Sequence, residues 1–108
     1  MPKIEYENGE INGWKCDGRE LKPKRNATGQ NTFVYDGREI KPKFGASLSN
    51  TWVFDGRFLK PKTGATLSNT WEVSGNKIYP RIGRSLSNTY DLGDAPILAV
   101  FAALILRV

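Results

Sequence analysis

The stretch TWVFDGRFLKPKTGATLSN, residues 51–69, is one unit of a repeat, and Thr70 begins the next. Thr32, Thr51, Thr70 and Thr89 recur at a constant spacing, each followed by an aromatic: Phe33, Trp52, Trp71 and Tyr90. Three residues after the aromatic comes a turn pair, Asp36-Gly37, Asp55-Gly56 or Ser74-Gly75, and Trp14 with Asp17-Gly18 is an earlier copy. Pro23, Pro42, Pro61 and Pro80 each stand six residues beyond the first turn residue. Spacing kept at that many positions marks a repeat architecture in which each unit is one supersecondary element.

Within a unit the pattern predicts a β-hairpin. Asp-Gly between alternating apolar positions favours a two-residue type I′ turn, whose two central residues need positive φ. That turn would set Val53 opposite Phe58 and Trp52 opposite Leu59. Trp52, Phe54 and Leu59 then share one face, Val53 and Phe58 the other. Lys15–Glu20, Val34–Glu39 and Glu72–Lys77 fall at the Val53–Phe58 position and read as facing pairs on an outer surface. Trp14–Leu21, Phe33–Ile40 and Trp71–Ile78 match Trp52–Leu59 and read as the inner face. The prolines end the second strand, because proline cannot donate to a ladder.

Four complete hairpins account for eight strands. Pro2-Lys3-Ile4 resembles the second half of a unit and TYDLG, residues 89–93, the first half of another. Pairing of these halves would close the sheet. The fold expected is all-β with one helix: a closed antiparallel barrel of about ten short strands built from 19-residue hairpin repeats. The repeats fill residues 1–93 of a single domain, and a buried hydrophobic C-terminal helix fills 94–108. That last segment, DAPILAVFAALILRV, is apolar on every side and so has to be surrounded. Asp94 reads as its N-cap, Pro96 as a first-turn residue and Arg107 as a cation suited to its C-terminal end. The helix could instead cap one barrel end, pack on a second subunit or lie on a membrane. In architecture, though in no sequence motif, the layout resembles tubby-like barrels, which enclose a hydrophobic C-terminal helix; no residue or ligand is carried over from them.

Composition narrows the function classes. The 108 residues hold 16 Lys and Arg against 11 Asp and Glu, a net charge of +5, with no histidine and one cysteine. The commonest general base and metal ligand is therefore missing. Cys16 falls on the inner face and reads as a core residue. Asp17, Asp36 and Asp55 repeat, but their place in the turns explains them without a bound cation. Ser47, Ser49, Ser68 and Ser87 read as loop chemistry. A lone cysteine fits a reducing compartment, and the N-terminus has no apolar signal segment. The C-terminal apolar run falls short of the roughly 20 residues a span requires. These features point to a soluble, cytoplasmic chain with no membrane span and no cofactor or metal. A monomer is expected, with oligomerisation through the C-terminal helix as the alternative.

One surface feature is patterned. Lys22, Lys24, Lys41, Lys43, Lys60, Lys62 and Arg81 recur at matched positions, and alternation along the strands directs them outward. The expectation is a non-enzymatic binding or interaction module of otherwise unspecified role. A second reading makes the Lys/Arg belt a polyanion- or nucleic-acid-binding surface for an acidic macromolecule. A third is a small-ligand carrier or enzyme at a barrel end, lined by Asn50, Asn69 and Asn88.

Overall fold

The computed structural model describes residues 2–108. Ten short strands form one antiparallel sheet in strictly sequential order. They are β1 (Glu10–Ile11), β2 (Trp14–Cys16), β3 (Glu20–Pro23), β4 (Phe33–Tyr35) and β5 (Glu39–Pro42), then β6 (Trp52–Phe54), β7 (Phe58–Pro61), β8 (Trp71–Ser74), β9 (Lys77–Pro80) and β10 (Tyr90–Asp91). The Asp-Gly and Ser-Gly turns lie along one edge of this meander, the turn rim. The longer linkers lie along the other, the loop rim.

The sheet is not closed into a barrel. Among the described strands β1 pairs with β2 alone and β10 with β9 alone. The terminal half-units do not form a fifth antiparallel hairpin. Instead Pro2–Ile4 runs parallel to β10, with the Ile4 N–H donating to the Asp91 carbonyl and the Asp91 N–H to the Pro2 carbonyl, both at 2.9 Å. A turn with Asn8 and Gly9 at positive φ then reverses the chain into β1. Two residues more separate Pro2 from Trp14 than Pro23 from Phe33, and this turn absorbs them. The tenth strand is therefore Glu10–Ile11 and not the Pro2 segment, and the resemblance to tubby-like barrels fails at closure.

The hairpin register also differs from expectation, by two residues. Phe54 faces Leu59, Val53 faces Lys60 and Trp52 faces Pro61. The cause is the turn aspartate. Its side chain, rather than a type I′ backbone, closes the turn: Asp55 Oδ1 accepts from the Arg57 and Phe58 N–H groups at 2.9 and 2.8 Å. Gly56 takes the positive φ alone, at 97°. Asp17 and Asp36 each accept from the two equivalent backbone N–H groups through Oδ1, and Gly37 repeats the positive φ whereas Gly18 does not. A slip of two leaves each side chain on its face, so the inner and outer assignments stand. The facing pairs do not: Lys15 lies opposite Glu10 and Lys22, and Glu72 opposite Phe58 and Tyr79.

The inner face carries one aliphatic residue per unit, Leu21, Ile40, Leu59 and Ile78, each with no exposed surface. The aromatics Trp14, Phe33, Trp52, Trp71 and Tyr90 flank them and pack on the same core. The sheet curls this face around the C-terminal helix, which enters from the turn rim after β10. The helix is α-helical over Ile97–Phe101 (α1) and π-helical over Ala102–Leu106. Pro96 has extended geometry and is itself the N-cap, so the helix begins three residues after Asp94. Arg107 ends it at φ 58°.

Leu98, Ala99, Val100, Phe101 and Ala102 are fully buried within the chain, while Ile97, Ala103, Ile105 and Leu106 are half-buried, as an open wall allows. The Phe101 ring sits 5.2 Å from Phe33 and 6.1 Å, edge-on, from Trp52. At the loop rim the Asn12 amide donates to the Val108 carbonyl at 2.8 Å and pins the end of the chain. No helix among the described residues is long and apolar enough to cross a membrane.

Removing a buried phenylalanine costs about 3–5 kcal/mol, against roughly 5–15 for a whole domain. Phe101→Ala is therefore expected to bring the urea midpoint down by a third or more. Leu86→Ala, on the loop rim, should leave it within experimental scatter. Equal midpoints for the two variants would show that the helix is not the core.

Candidate functional site

The loop rim is built from four linkers, residues 24–32, 43–51, 62–70 and 81–89, closed by one repeated set of hydrogen bonds. In the second linker Asn50 Oδ1 accepts from the Ser47 N–H at 2.7 Å and its Nδ2 donates to the Gly45 carbonyl at 3.1 Å. Asn69 and Asn88 repeat this with Thr66 and Gly64, and with Ser85 and Gly83. Thr51, Thr70 and Thr89, nearly buried, each donate their hydroxyl to the carbonyl four residues back at 2.6 Å. The linker hydroxyls pair among themselves, as Ser47 Oγ with Ser49 Oγ at 3.0 Å. The amides named as possible ligand-lining groups are thus engaged at both ends in holding the loops. The interior they would have opened onto is filled by the helix.

The seven belt residues divide. Lys22, Lys41 and Lys60 point from the strands on the outer face, where Lys22 lies 3.9 Å from Glu20 and Lys41 lies 3.6 Å from Glu39. Lys24, Lys43, Lys62 and Arg81 stand where the linkers begin, at the loop rim. Each rim cation meets a residue of a preceding strand: Lys24–Glu10 at 3.1 Å, Lys43–Glu20 at 3.5 Å and Lys62–Glu39 at 2.6 Å. In the fourth unit the acid is replaced by Phe58, and Arg81 lies over its ring at 4.6 Å from the centroid. From Lys43 onward the two partners keep one separation along the chain, and the contact is an ion pair in two copies and a cation–π contact in the third. These pairs are solvent-exposed, so each contributes little and leaves the ammonium accessible.

Charge is sorted between the rims. The linkers carry Lys24, Arg25, Lys43, Lys62, Arg81 and Arg84, with Arg107 beside them, and no Asp or Glu. The rest of the chain holds nine basic and eleven acidic residues, so the entire positive excess resides on this rim. Interleaved with it are the large apolar side chains most exposed among the described residues: Phe44, Leu48, Leu67, Ile82 and Leu86. Sequence reasoning passed over these because the linkers are polar by composition. The signal was present as a leucine at one fixed position of three successive linkers, where no strand register could bury it.

The other candidates have structural employment. Burial, with a smaller contribution from the Asp17 charge, pushes the Cys16 thiol up to about 12, so it stays protonated at neutral pH. The Asp17, Asp36 and Asp55 carboxyls are held below the usual range, chiefly by the two backbone N–H groups that each accepts. The Glu39 carboxyl is lowered as well, first by its hydrogen bond from Lys62. Compared with protein-family models, characterised proteins and solved structures, the chain matches none.

The turn carboxyls give acid sensitivity a sign. Their folded pKa values lie below the unfolded ones, so their stabilisation is complete above the unfolded value, about 4, and is lost as pH falls through the folded values. Stability in urea should hold between neutral pH and about pH 5 and fall below it. The triple variant D17N/D36N/D55N keeps an amide oxygen as acceptor and should show a smaller fall between about pH 5 and pH 3. An unchanged pH profile in the triple variant would remove the turn carboxylates as its source.

Proposed function

We propose that the protein is a non-enzymatic binding module that sets its loop rim against a polyanionic surface. The observation that carries this reading is the sorting of charge, with seven cations and no Asp or Glu on the linkers and the adjoining residues 107–108. A surface of one sign raises the local concentration of an oppositely charged polymer and speeds its encounter. Lys24, Lys43, Lys62 and Arg81 form the row at the rim, and Lys22, Lys41 and Lys60 extend it down the outer face. The same pair of asparagine hydrogen bonds holds all four linkers, so the cations are presented from fixed backbone positions and little ordering has to accompany binding.

The proposal assigns no catalytic residue, cofactor or metal. It takes the protein as a monomer, since the apolar helix finds its partners within its own chain, and places it in the cytoplasm, where a lone buried thiol is at home. The small-ligand reading has less support, because the loop amides are already hydrogen-bonded and the sheet encloses a helix instead of a cavity.

Binding to labelled heparin across a salt titration tests the proposal. The logarithm of affinity should fall linearly with the logarithm of salt concentration. Replacing Lys24, Lys43, Lys62 and Arg81 with glutamine should reduce the slope by roughly three to four, about one for each cation removed. Replacing Lys22, Lys41 and Lys60 should reduce it less. Absence of binding at about 20 mM salt, where such interactions are strongest, would overturn the reading.

A further inference from the structure

The exposed apolar side chains of the loop rim are not needed to build it. In the first linker Gly29 occupies the position of Leu48, Leu67 and Leu86. That linker keeps the two asparagine bonds, with the Thr28 N–H donating to Asn31 Oδ1 at 2.6 Å and Asn31 Nδ2 donating to the Asn26 carbonyl at 3.2 Å, although the threonine-hydroxyl bond of the other three is not made there. The asparagine bonds therefore do not require a leucine.

Leu48 and Leu67 are each followed by a further linker, and Leu86 is not. The start of each linker reaches back over the linker before it. The Phe44 ring lies on Gly29, leaving no room there for a β-carbon, and its N–H donates to the Gly29 carbonyl. Thr63 Oγ1 donates to the Leu48 carbonyl at 2.7 Å. Leu86 lies in the last linker, with no successor to cover it, and is 79 % exposed. The half-buried Ile105, Leu106 and Val108 end the helix on the same side of the molecule.

We propose that this rim docks on an anionic lipid bilayer, with Leu48, Leu67, Ile82 and Leu86 entering the headgroup–acyl boundary while the surrounding cations meet lipid phosphates and carboxylates. The inference rests on the polyanion reading and names its source. A lipid interface accepts apolar groups beside phosphates, and basic residues among apolar ones are the composition that binds it. Nucleic acid offers base faces, which favour aromatic and guanidinium stacking over aliphatic side chains. The single exposed rim aromatic, Phe44, is seated on Gly29. A second copy of the chain would oppose one cationic rim to another and be repelled.

The test is flotation with vesicles of phosphatidylcholine alone and with about 30 % phosphatidylserine, a strongly anionic surface. It uses the native protein and the variant L48S/L67S/L86S. The three leucines are exposed and outside the core, and circular dichroism before flotation checks the fold. Expected is binding to the anionic vesicles only, reduced about tenfold or more in the serine variant, while both proteins bind heparin equally. Three results overturn the inference and leave the polyanion reading standing: heparin binding without vesicle binding, equal binding to neutral vesicles, or vesicle binding that the serine variant retains in full. Failure to bind either heparin or vesicles overturns both.

Discussion

Four side chains with no exposed surface, Leu21, Ile40, Leu59 and Ile78, close on a helix that has no polar face, and every other feature depends on that contact. The strands are too short to be stable as separate hairpins. The helix, apolar around its whole girth, would be insoluble without them. Each supplies what the other lacks, and Phe101, held between Phe33 and Trp52, is where they interlock. The rims inherit their positions from this packing. A repeated core fixes the strands, the strands fix the linkers, and the linkers carry the charges.

Repeat spacing and strand faces were legible in the residues, because alternation and burial leave a mark at every unit. Register was not. Asp-Gly admits two closures, one made by backbone alone and one made by the aspartate side chain. Both leave Trp52, Phe54 and Leu59 on the same face, so polarity could not choose between them. Closure of the sheet was misread for a similar reason. Pro2-Lys3-Ile4 has the composition of a unit's second half, but composition does not state direction, and this segment runs with β10 instead of against it. The lysines were visible as a pattern, though their division between outer face and rim needed the strand ends. The rim leucines were visible in the letters and hidden by the polarity around them.

The contacts between each rim cation and the strand behind it show how variation within the repeat is absorbed. Glu20 and Glu39 meet lysines, whereas Phe58 meets Arg81. The acid and its cation changed together, from an ion pair to an arginine lying over a ring. A guanidinium stacks on an aromatic face better than an ammonium does, so the exchange keeps a cation on the rim after its carboxylate is gone. Arg57 and Glu72 likewise pair at 3.0 Å, where Asn76 and Asp91 meet one unit later. Side chains between units are therefore exchanged as couples, while those facing the helix stay apolar.

An open sheet has a further consequence, for how such a chain can change over generations. A closed barrel must satisfy strand number, tilt and stagger together, and gaining or losing one hairpin breaks all three. Here the gap between β1 and β10 is spanned by a short parallel segment held to Asp91 by two hydrogen bonds. That seam imposes no stagger on the rest of the sheet. Duplication of one unit would add two strands, one linker and one more set of rim side chains, and would be limited only by the girth of the helix. The seam thus makes the size of the cationic face a quantity that can grow by whole units.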